Sequence, residues 1–193
     1  GIRFSANNVM QFFAKQFVFA ESINSAIKNR DVKNGLYSFD MLGEAAWTMK
    51  DADKYFQAYK HALIEIGKRN KSKTVAGANG ISVKLSALHP KYDFMHRERV
   101  MSELLPRVLE LVQIAQKYNI GINIDAEEAD RLDISLDVID KVMNTIRNSS
   151  WEGFGVVVQA YQKRASFVID WLYRNCKKNN LKIGICGEHG GDP

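Results

Sequence analysis

The stretch that decides the fold class is Ile120-Gly121-Ile122-Asn123-Ile124-Asp125, in which an isoleucine occupies every second position and a carboxylate ends the run. This alternation is typical of a β-strand whose two faces meet different surroundings. A helical pattern follows, which we expect Ser135 to cap. Its apolar residues are spaced to share one face, and they are Leu136, Ile139, Val142 and Ile146. The stretch therefore predicts a strand followed by a helix.

The same unit recurs on both sides of this stretch. Further strands are predicted at 36–42, 81–88, 153–159 and 181–186, with helical patterns between them. Thr48 and Asp51 have the spacing of a capping pair for the helix before the second strand. Pro106 falls inside a helical pattern over 97–118 and should kink that helix or mark a helix start, because proline lacks an N–H. Alternating strands and helices predict an α/β fold with a parallel sheet.

Two architectures can hold such a sheet: an open doubly wound sheet, or part of an eight-stranded (βα)8 barrel. A full barrel needs about 250 residues, and the chain has 193, so length alone favours the open sheet. A helical pattern over 9–30 precedes the first strand. The expected domains are therefore an N-terminal helical segment, 1–35, and a strand–helix region, 36–193.

The composition is that of a globular protein, with 46% hydrophobic and 25% charged residues, so disordered and fibrous classes are excluded. The sequence has no apolar run of about 18 residues, so no membrane-spanning helix is predicted. Cys176 and Cys186 are too few for a disulfide framework and favour a reducing compartment. The chain starts at Gly1 rather than at a methionine, and we therefore expect it to be a piece of a longer protein.

The net charge of +5 is concentrated in residues 1–75, which hold 12 Lys and Arg against 7 Asp and Glu. The densest basic stretch is the predicted loop Lys68-Arg69-Asn70-Lys71-Ser72-Lys73. Such a loop could contact nucleic acid or an anionic membrane surface. We favour a solvated loop tip, because no nucleic-acid-binding module accompanies it. Binding through this basic third of the chain remains the non-enzymatic alternative.

Four of the predicted strands end in polar residues, which are Asp40, Lys84, Asp125 and Gln159. In parallel α/β folds of either architecture, the carboxyl ends of the strands carry the active site. Each of these residues could instead cap the helix that follows its strand. A cation, two carboxylates and an amide nevertheless form a chemically complementary set. The sequence therefore indicates a candidate site at this edge of the sheet.

The segment Asp125-Ala126-Glu127-Glu128-Ala129-Asp130 concentrates four carboxylates. Oxygen ligands of this kind can bind a hard cation. Alternatively, Glu127 and Glu128 lie in the first turn of a short helix, where the helix dipole favours them, and pair with Arg131. No histidine lies nearby in the sequence, so we favour the second interpretation and predict no metal site.

Four longer segments have the order and spacing of a known family. They are Tyr37-Ser38-Phe39-Asp40-Met41-Leu42-Gly43-Glu44-Ala45-Ala46, Gly80-Ile81-Ser82-Val83-Lys84-Leu85-Ser86-Ala87-Leu88-His89-Pro90, Asn123-Ile124-Asp125-Ala126-Glu127-Glu128-Ala129-Asp130-Arg131-Leu132 and Val158-Gln159-Ala160-Tyr161-Gln162-Lys163-Arg164. With them, residues 16–180 closely resemble the proline dehydrogenase domain of bacterial proline-utilisation flavoenzymes. The resemblance implies an incomplete (βα)8 barrel with an N-terminal helical segment.

The resemblance also implies an activity, the FAD-dependent oxidation of L-proline to Δ1-pyrroline-5-carboxylate in proline catabolism. The implied catalytic residues are Lys84, which would hold the proline carboxylate, Asp125, which would lie beside the substrate ring, and Asp40, which would line the site. The implied cofactor contacts are Asp125, Ala126, Val157 and Gln159. The protein orients and tunes such a cofactor, which supplies the redox chemistry.

The partners implied by the resemblance are L-proline and a quinone electron acceptor at the membrane surface. Homo-oligomerisation is compatible with it, and no nucleic-acid module is recognised in the chain. The implied location is the cytoplasm, with peripheral contact at the inner face of the membrane.

The tail departs from the family, which continues after this point with Arg-Leu-Val-Lys-Gly-Ala-Tyr-Trp-Asp. The tail instead reads Leu181-Lys182-Ile183-Gly184-Ile185-Cys186-Gly187-Glu188-His189-Gly190-Gly191-Asp192-Pro193 and resembles the catalytic cysteine strand of pyruvate phosphate dikinase. A phosphoenolpyruvate-utilising fragment that uses Cys186 is therefore the second enzymatic alternative. Because the later barrel strands are missing from the resemblance, we expect low intrinsic activity from this chain.

Overall fold

The computed structural model describes residues 23–33, 36–41 and 45–188, and the chain divides into two units between Tyr37 and Ser38. In the first unit one helix is described, α1 (Ile23–Lys33). The earlier part of the helical pattern over 9–30 lies outside the described residues. The domain boundary expected between residues 35 and 36 stays a prediction.

The second unit begins with β1 (Ser38–Asp40) and a long helix, α2 (Met49–Arg69), whose start confirms the predicted capping pair. The Thr48 hydroxyl accepts the Asp51 N–H at 3.2 Å, and the Asp51 carboxylate accepts the Thr48 N–H at 2.9 Å. This capping box satisfies two backbone donors at the helix start. Hydrogen bonding from the Thr48 side chain is the largest cause that holds the pKa of Asp51 below its ordinary value.

Proline divides the next helical region in two. After β2 (Gly80–Val83), α3 (Arg97–Glu103) is followed at once by α4 (Leu105–Tyr118), which carries Pro106 in its first turn. A missing N–H breaks no helical hydrogen bond there, and the helix start predicted at Pro106 is confirmed. Asn119, with a φ of 52°, ends α4 in the left-handed conformation and leads into β3 (Gly121–Ile124).

The cap predicted at Ser135 is wrong, because α5 (Leu132–Thr145) begins three residues earlier. Ser135 is buried inside the helix, where its hydroxyl donates to the Arg131 carbonyl at 2.9 Å. Serine can bond in this way to the carbonyl four residues earlier instead of capping. Since the Ser135 proton is donated to Arg131, the Tyr92 hydroxyl, whose pKa burial raises, donates to the Ser135 oxygen at 2.5 Å.

The last described strand lies later in the chain than expected. β4 (Phe154–Gln159) agrees with the prediction within one residue, and α6 (Ala165–Asn179) follows it. β5 (Gly184–Glu188), in contrast, replaces the strand expected at 181–186. The reason is the end of α6: Asn180 adopts the left-handed conformation with a φ of 51°, and the Leu181 N–H bonds to the Cys176 carbonyl. Leu181 thus closes the helix and does not extend the sheet.

All five strands are parallel, and their order in the sheet is β1-β2-β3-β4-β5. Each crossover therefore moves to the next strand in the same direction. A doubly wound sheet reverses its strand order at a switch point. The open doubly wound sheet that chain length alone favoured is therefore a wrong prediction. Sequential order is that of the wall of a (βα)8 barrel, of which these are five consecutive strands.

Within the second unit, helices α2, α4 and α6 pack against β2, β3 and β4 on one face of this sheet. The side chains on that face are apolar and buried, and they are Phe39, Ile81, Val83, Ile122, Ile124, Phe154, Val156 and Val158. The alternate residues point to the opposite face, which we call the inner face. It carries small or polar residues, among them Ser38, Asp40, Ser82, Asn123, Gly155 and Gly184. Burying isoleucine and valine on one side thus places the polar residues on the other.

Candidate functional site

Three of the predicted site residues meet at the carboxyl edge of the inner face. The register pairs Val83 with Ile124, so Lys84 and Asp125 leave β2 and β3 side by side. Asp40 ends β1, the strand on the other side of β2. The parallel sheet brings together residues that lie up to 85 positions apart in the chain.

Lys84 bridges the two carboxylates. Its Nζ lies 2.8 and 2.9 Å from the two carboxylate oxygens of Asp40 and 3.1 Å from Oδ2 of Asp125. The exposed fraction of the side chain is 41% for Asp40 and only 14% for Asp125. With all three groups ionised, the negative charge exceeds the positive charge by one. The arrangement can therefore attract a cationic group as well as present an ammonium to an anion.

Burial is the largest cause that raises the pKa of Asp125 above its ordinary value. The positive charge of Lys84 opposes this shift, and the negative charge of Asp40 adds to it. A hydrogen bond with the Ser82 side chain also favours the ionised carboxylate. A carboxylate with a raised pKa accepts a proton more readily than an exposed one, as general-base chemistry requires.

A row of polar residues lies on the inner face two residues before Lys84 and Asp125, toward the amino ends of the strands. The Asn123 amide donates to the Ser38 hydroxyl at 3.3 Å, and the Ser38 and Ser82 hydroxyls are 3.4 Å apart. On the other side of Asn123, a Cβ at Gly155 would lie 1.9 Å from its Oδ1. Gly155 therefore makes the room that the Asn123 side chain occupies.

An open cleft of about 880 Å³ lies over this edge of the sheet and is lined by Lys84, Ala126 and Gln159, among others. A smaller cavity of about 40 Å³ touches all four expected cofactor contacts, which are Asp125, Ala126, Val157 and Gln159. The Gln159 side-chain oxygen accepts a hydrogen bond from the Gln162 amide. The smaller cavity also touches Val156 and Val158 of the covered face and neither Lys84 nor Asp40, so of the four expected contacts only Ala126 and Gln159 also line the open cleft.

The acidic segment after β3 holds the cleft wall together. Oxygen atoms of Glu127 accept the Ser86 N–H at 3.0 Å and the Arg131 guanidinium at 3.0 Å, and Glu128 lies 3.1 Å from Arg131. The pairing predicted with Arg131 is therefore present, but Glu127 and Glu128 precede the short helix Ala129–Arg131 and do not lie in its first turn. Glu127 also ties this segment to the loop after β2. Among residues 23–33, 36–41 and 45–188, no group of three or more His, Cys, Asp or Glu side chains is placed to hold a metal.

His89 lies in the cleft wall with its side chain fully buried. Its Nδ1 accepts the Lys91 N–H at 3.1 Å, so the ring proton lies on Nε2, which is 3.1 Å from the Glu103 carboxylate. Both ring nitrogens are thus engaged in holding the loop after β2 against α3. The geometry assigns His89 a structural role in the wall of the cleft.

Sequence reasoning missed Ser38, Ser82 and Asn123 as neighbours of the site. A signal for all three exists, since each lies two residues before a predicted site residue, namely Asp40, Lys84 and Asp125, and so shares its face of the strand. The sequence could not show that Asn123 reaches across to β1. That contact depends on the order of the strands.

The basic stretch 68–73, expected to be a loop, begins with the last two residues of α2 and is partly neutralised. Lys68 and Arg69 lie 3.2 and 2.6 Å from the carboxylate of Glu65, one turn earlier on the same helix. Both cations also stand at the carboxyl end of α2, where the helix dipole favours positive charge. This pairing agrees with a solvated helix end, and no feature of the loop favours the nucleic-acid alternative.

Comparison with known proteins identifies what the chain is similar to. The proline dehydrogenase family matches residues 23–186. The bifunctional PutA protein of Klebsiella aerogenes is 48% identical over 187 residues, and that of Rhizobium meliloti is 41% identical over 186. These matches cover 95% of this chain and 14% and 15% of the relatives, so the chain spans about one seventh of their length.

Solved structures give the same result. A Bradyrhizobium japonicum proline utilization A mutant superimposes with a TM-score of 0.80 at 44% identity, covering 89% of this chain and 18% of that chain. Proline utilization A from Bdellovibrio bacteriovorus has a TM-score of 0.81 at 21% identity over 94% of this chain and 21% of that chain, which supports the fold alone. The expected barrel class is thereby confirmed.

The comparisons do not support the likeness of the tail to pyruvate phosphate dikinase. The proline dehydrogenase match itself runs to residue 186 and includes most of β5. In the structure, β5 pairs with β4 in the regular parallel register. The phosphoenolpyruvate alternative at Cys186 is therefore left without support. Residues 189–193 of that tail lie outside the described residues.

No helix of the described residues combines the length and the apolar character that crossing a lipid bilayer requires. The family match, the relatives and the barrel wall lead to one conclusion: the chain belongs to the proline dehydrogenase family.

Proposed function

We propose that this chain forms part of the active site of a flavoenzyme that oxidises L-proline to Δ1-pyrroline-5-carboxylate. The observation that carries the proposal is Lys84 held between Asp40 and Asp125 at the carboxyl edge of a proline dehydrogenase barrel wall. An amino acid is a zwitterion, and these three residues offer it both a cation and carboxylates. The same edge carries Gln159, Val157 and Ala126, where we place the cofactor.

The residues at β4 and β5 suit the flat, polar ring system of FAD. Gly184 leaves the inner face of β5 open, since among the described residues the atom nearest to a Cβ there would be the Gly155 Cα at 3.7 Å. Because the Gln159 oxygen already accepts from Gln162, the Gln159 amide group remains as a donor. The carbonyl and nitrogen atoms at the edge of an isoalloxazine are acceptors that such a donor fits.

A bound FAD would supply the two-electron oxidation as a hydride acceptor. In this proposal Lys84 binds the substrate carboxylate and thereby orients the ring. Asp125 hydrogen-bonds the ring nitrogen and takes its proton, a task for which a raised pKa is suited. Gln159, with the backbone at Val157 and Ala126, orients the cofactor. The electron acceptor is a membrane quinone, and the enzyme acts in the cytoplasm at the inner membrane face, alone or as a homo-oligomer.

The test is a titration of the purified chain with FAD, followed by anaerobic addition of L-proline while the visible flavin absorbance is recorded. We expect weak FAD binding and slow proline-dependent bleaching, which Lys84→Ala should abolish. Lys91→Ala is the matched control, since Lys91 is an exposed lysine near the cleft. Equal bleaching in Lys84→Ala, or no FAD binding at all, would contradict the proposal. Tight stoichiometric FAD with rapid bleaching would contradict only the expectation of low activity.

A further inference from the structure

Lys84 already has a full set of partners before any ligand arrives. An ammonium has three N–H donors, and Lys84 makes three short contacts, two with the oxygens of Asp40 and one with Asp125. A third carboxylate would therefore compete for a donor. It would also meet two negative charges within the reach of one positive charge. A substrate carboxylate can reach Lys84 well only if one of the two aspartates releases it.

The two aspartates differ in how readily they can do so. Asp40 lies on β1, a strand of three residues, and 41% of its side chain is exposed, so water replaces Lys84 at little cost. Asp125 follows β3, which is paired on both sides, and only 14% of its side chain is exposed. Leaving a buried carboxylate without its cation is strongly unfavourable. Asp40 is therefore the aspartate that releases Lys84 when a ligand carboxylate binds.

We infer that Asp40 is an internal competitor of the substrate: its carboxylate occupies, on Lys84, the place that the substrate carboxylate takes. This inference rests on the proposed function in assigning the substrate a carboxylate. The exchange replaces one carboxylate by another at Lys84, so the charge around the ammonium is conserved. Asp125 keeps its contact with Lys84 and stays available to the ring nitrogen.

Two consequences distinguish this role from a simple supporting one. If Asp40 only positioned Lys84, its removal would weaken the binding of a carboxylate. If Asp40 competes, its removal strengthens that binding, whereas the binding of a neutral analogue of the same shape stays unchanged. Exposed ion pairs contribute about 0.2–1 kcal/mol, so we expect a gain in affinity of about 1.4- to fivefold.

The experiment measures the dissociation constants of cyclopentanecarboxylate and cyclopentanecarboxamide by NMR titration of the full chain without FAD. Cyclopentanecarboxylate has the ring and carboxylate of proline but no amine, so its binding does not depend on the oxidation chemistry. Asp40→Asn should bind the carboxylate about 1.4- to fivefold more tightly than the unmodified chain, and the carboxamide equally. Asp170→Asn is the matched control, because Asp170 is an exposed aspartate on α6 and loses the same charge elsewhere.

Weaker or unchanged carboxylate binding in Asp40→Asn would overturn the inference, as would an equal gain in Asp170→Asn. Absence of carboxylate binding in both the unmodified chain and Asp40→Asn would also overturn it, because Lys84 should then be released for a ligand. The outcome is independent of the flavin test. The inference stands if Asp40→Asn gains carboxylate affinity in a chain that fails to bleach FAD, and then only the proposed function fails.

Discussion

β3 and β5 are similar in length and belong to the same parallel sheet, yet their surroundings differ completely. Ile122 and Ile124 of β3 are fully buried, whereas Ile185 of β5 is 45% exposed and every residue of that strand is exposed. β3 lies between two strands and contacts α4. Among the described residues, β5 has a strand neighbour only in β4. An apolar residue in a strand is buried only when neighbouring strands and helices cover it.

The largest expected effect on stability is the difference between two single variants, one that truncates an isoleucine of β3 and one that truncates an isoleucine of β5. Ile124→Ala should lower the free energy of unfolding by about 2–5 kcal/mol, because it leaves a cavity in a packed core. Ile185→Ala should change it by about 0.5 kcal/mol, because that side chain is already in contact with water. Urea unfolding followed by circular dichroism measures both. Similar losses in the two variants would show that β5 is packed as tightly as β3.

A second expected effect concerns two glycines that face each other in the register, Gly155 and Gly184. A Cβ at Gly155 would lie 1.9 Å from Asn123 Oδ1, whereas the atom of the described residues nearest to a Cβ at Gly184 would be the Gly155 Cα at 3.7 Å. Gly155→Ala should therefore lower the free energy of unfolding by about 1–3 kcal/mol, and Gly184→Ala by about 0.5 kcal/mol or less.

The double variant Asn123→Ala/Gly155→Ala is the control for this second effect, since it removes the oxygen that the new methyl group meets. Adding Gly155→Ala to Asn123→Ala should therefore lower the free energy of unfolding much less than Gly155→Ala lowers it in the unmodified chain. If the double variant instead loses the sum of the free energies that the two single variants lose, a clash with Asn123 is not what destabilises Gly155→Ala.

The smallest expected effect is a pH dependence of stability that comes from Asp125, the residue directly after β3. Because burial raises the pKa of Asp125, the folded chain binds more protons than the unfolded chain between the two pKa values. Stability therefore falls as the pH rises through this interval. Asp125→Asn should remove this part of the decline, whereas Glu188→Gln on exposed β5 should leave it unchanged. Urea midpoints from acidic to neutral pH measure it, and a decline that persists in Asp125→Asn would refute the assignment.

Much of the fold follows from local pattern. The alternation in β2 and β3, the capping pair Thr48 and Asp51, and the break at Pro106 all depend on neighbours within a few residues, so the sequence predicts them. Ser135 and the start of β5 were predicted wrongly. In both cases a second local arrangement competed, a serine bonded to the preceding turn and a helix end closed by Asn180 and Leu181. Only packing selects between such alternatives.

The sequence alone determined which residues are chemically equipped for a site, since Asp40, Lys84, Asp125 and Gln159 each end an apolar strand. It also determined which face of each strand they share, because side chains alternate strictly along a strand. The tertiary structure alone decided the sequential strand order, the Asn123 contact across to Ser38 and the contacts of Lys84 with two carboxylates at once. The physical reason is range: alternation is set by adjacent residues, whereas an ion pair between Asp40 and Lys84 exists only after the sheet has assembled. The competition proposed at Lys84 is a property of that assembled sheet.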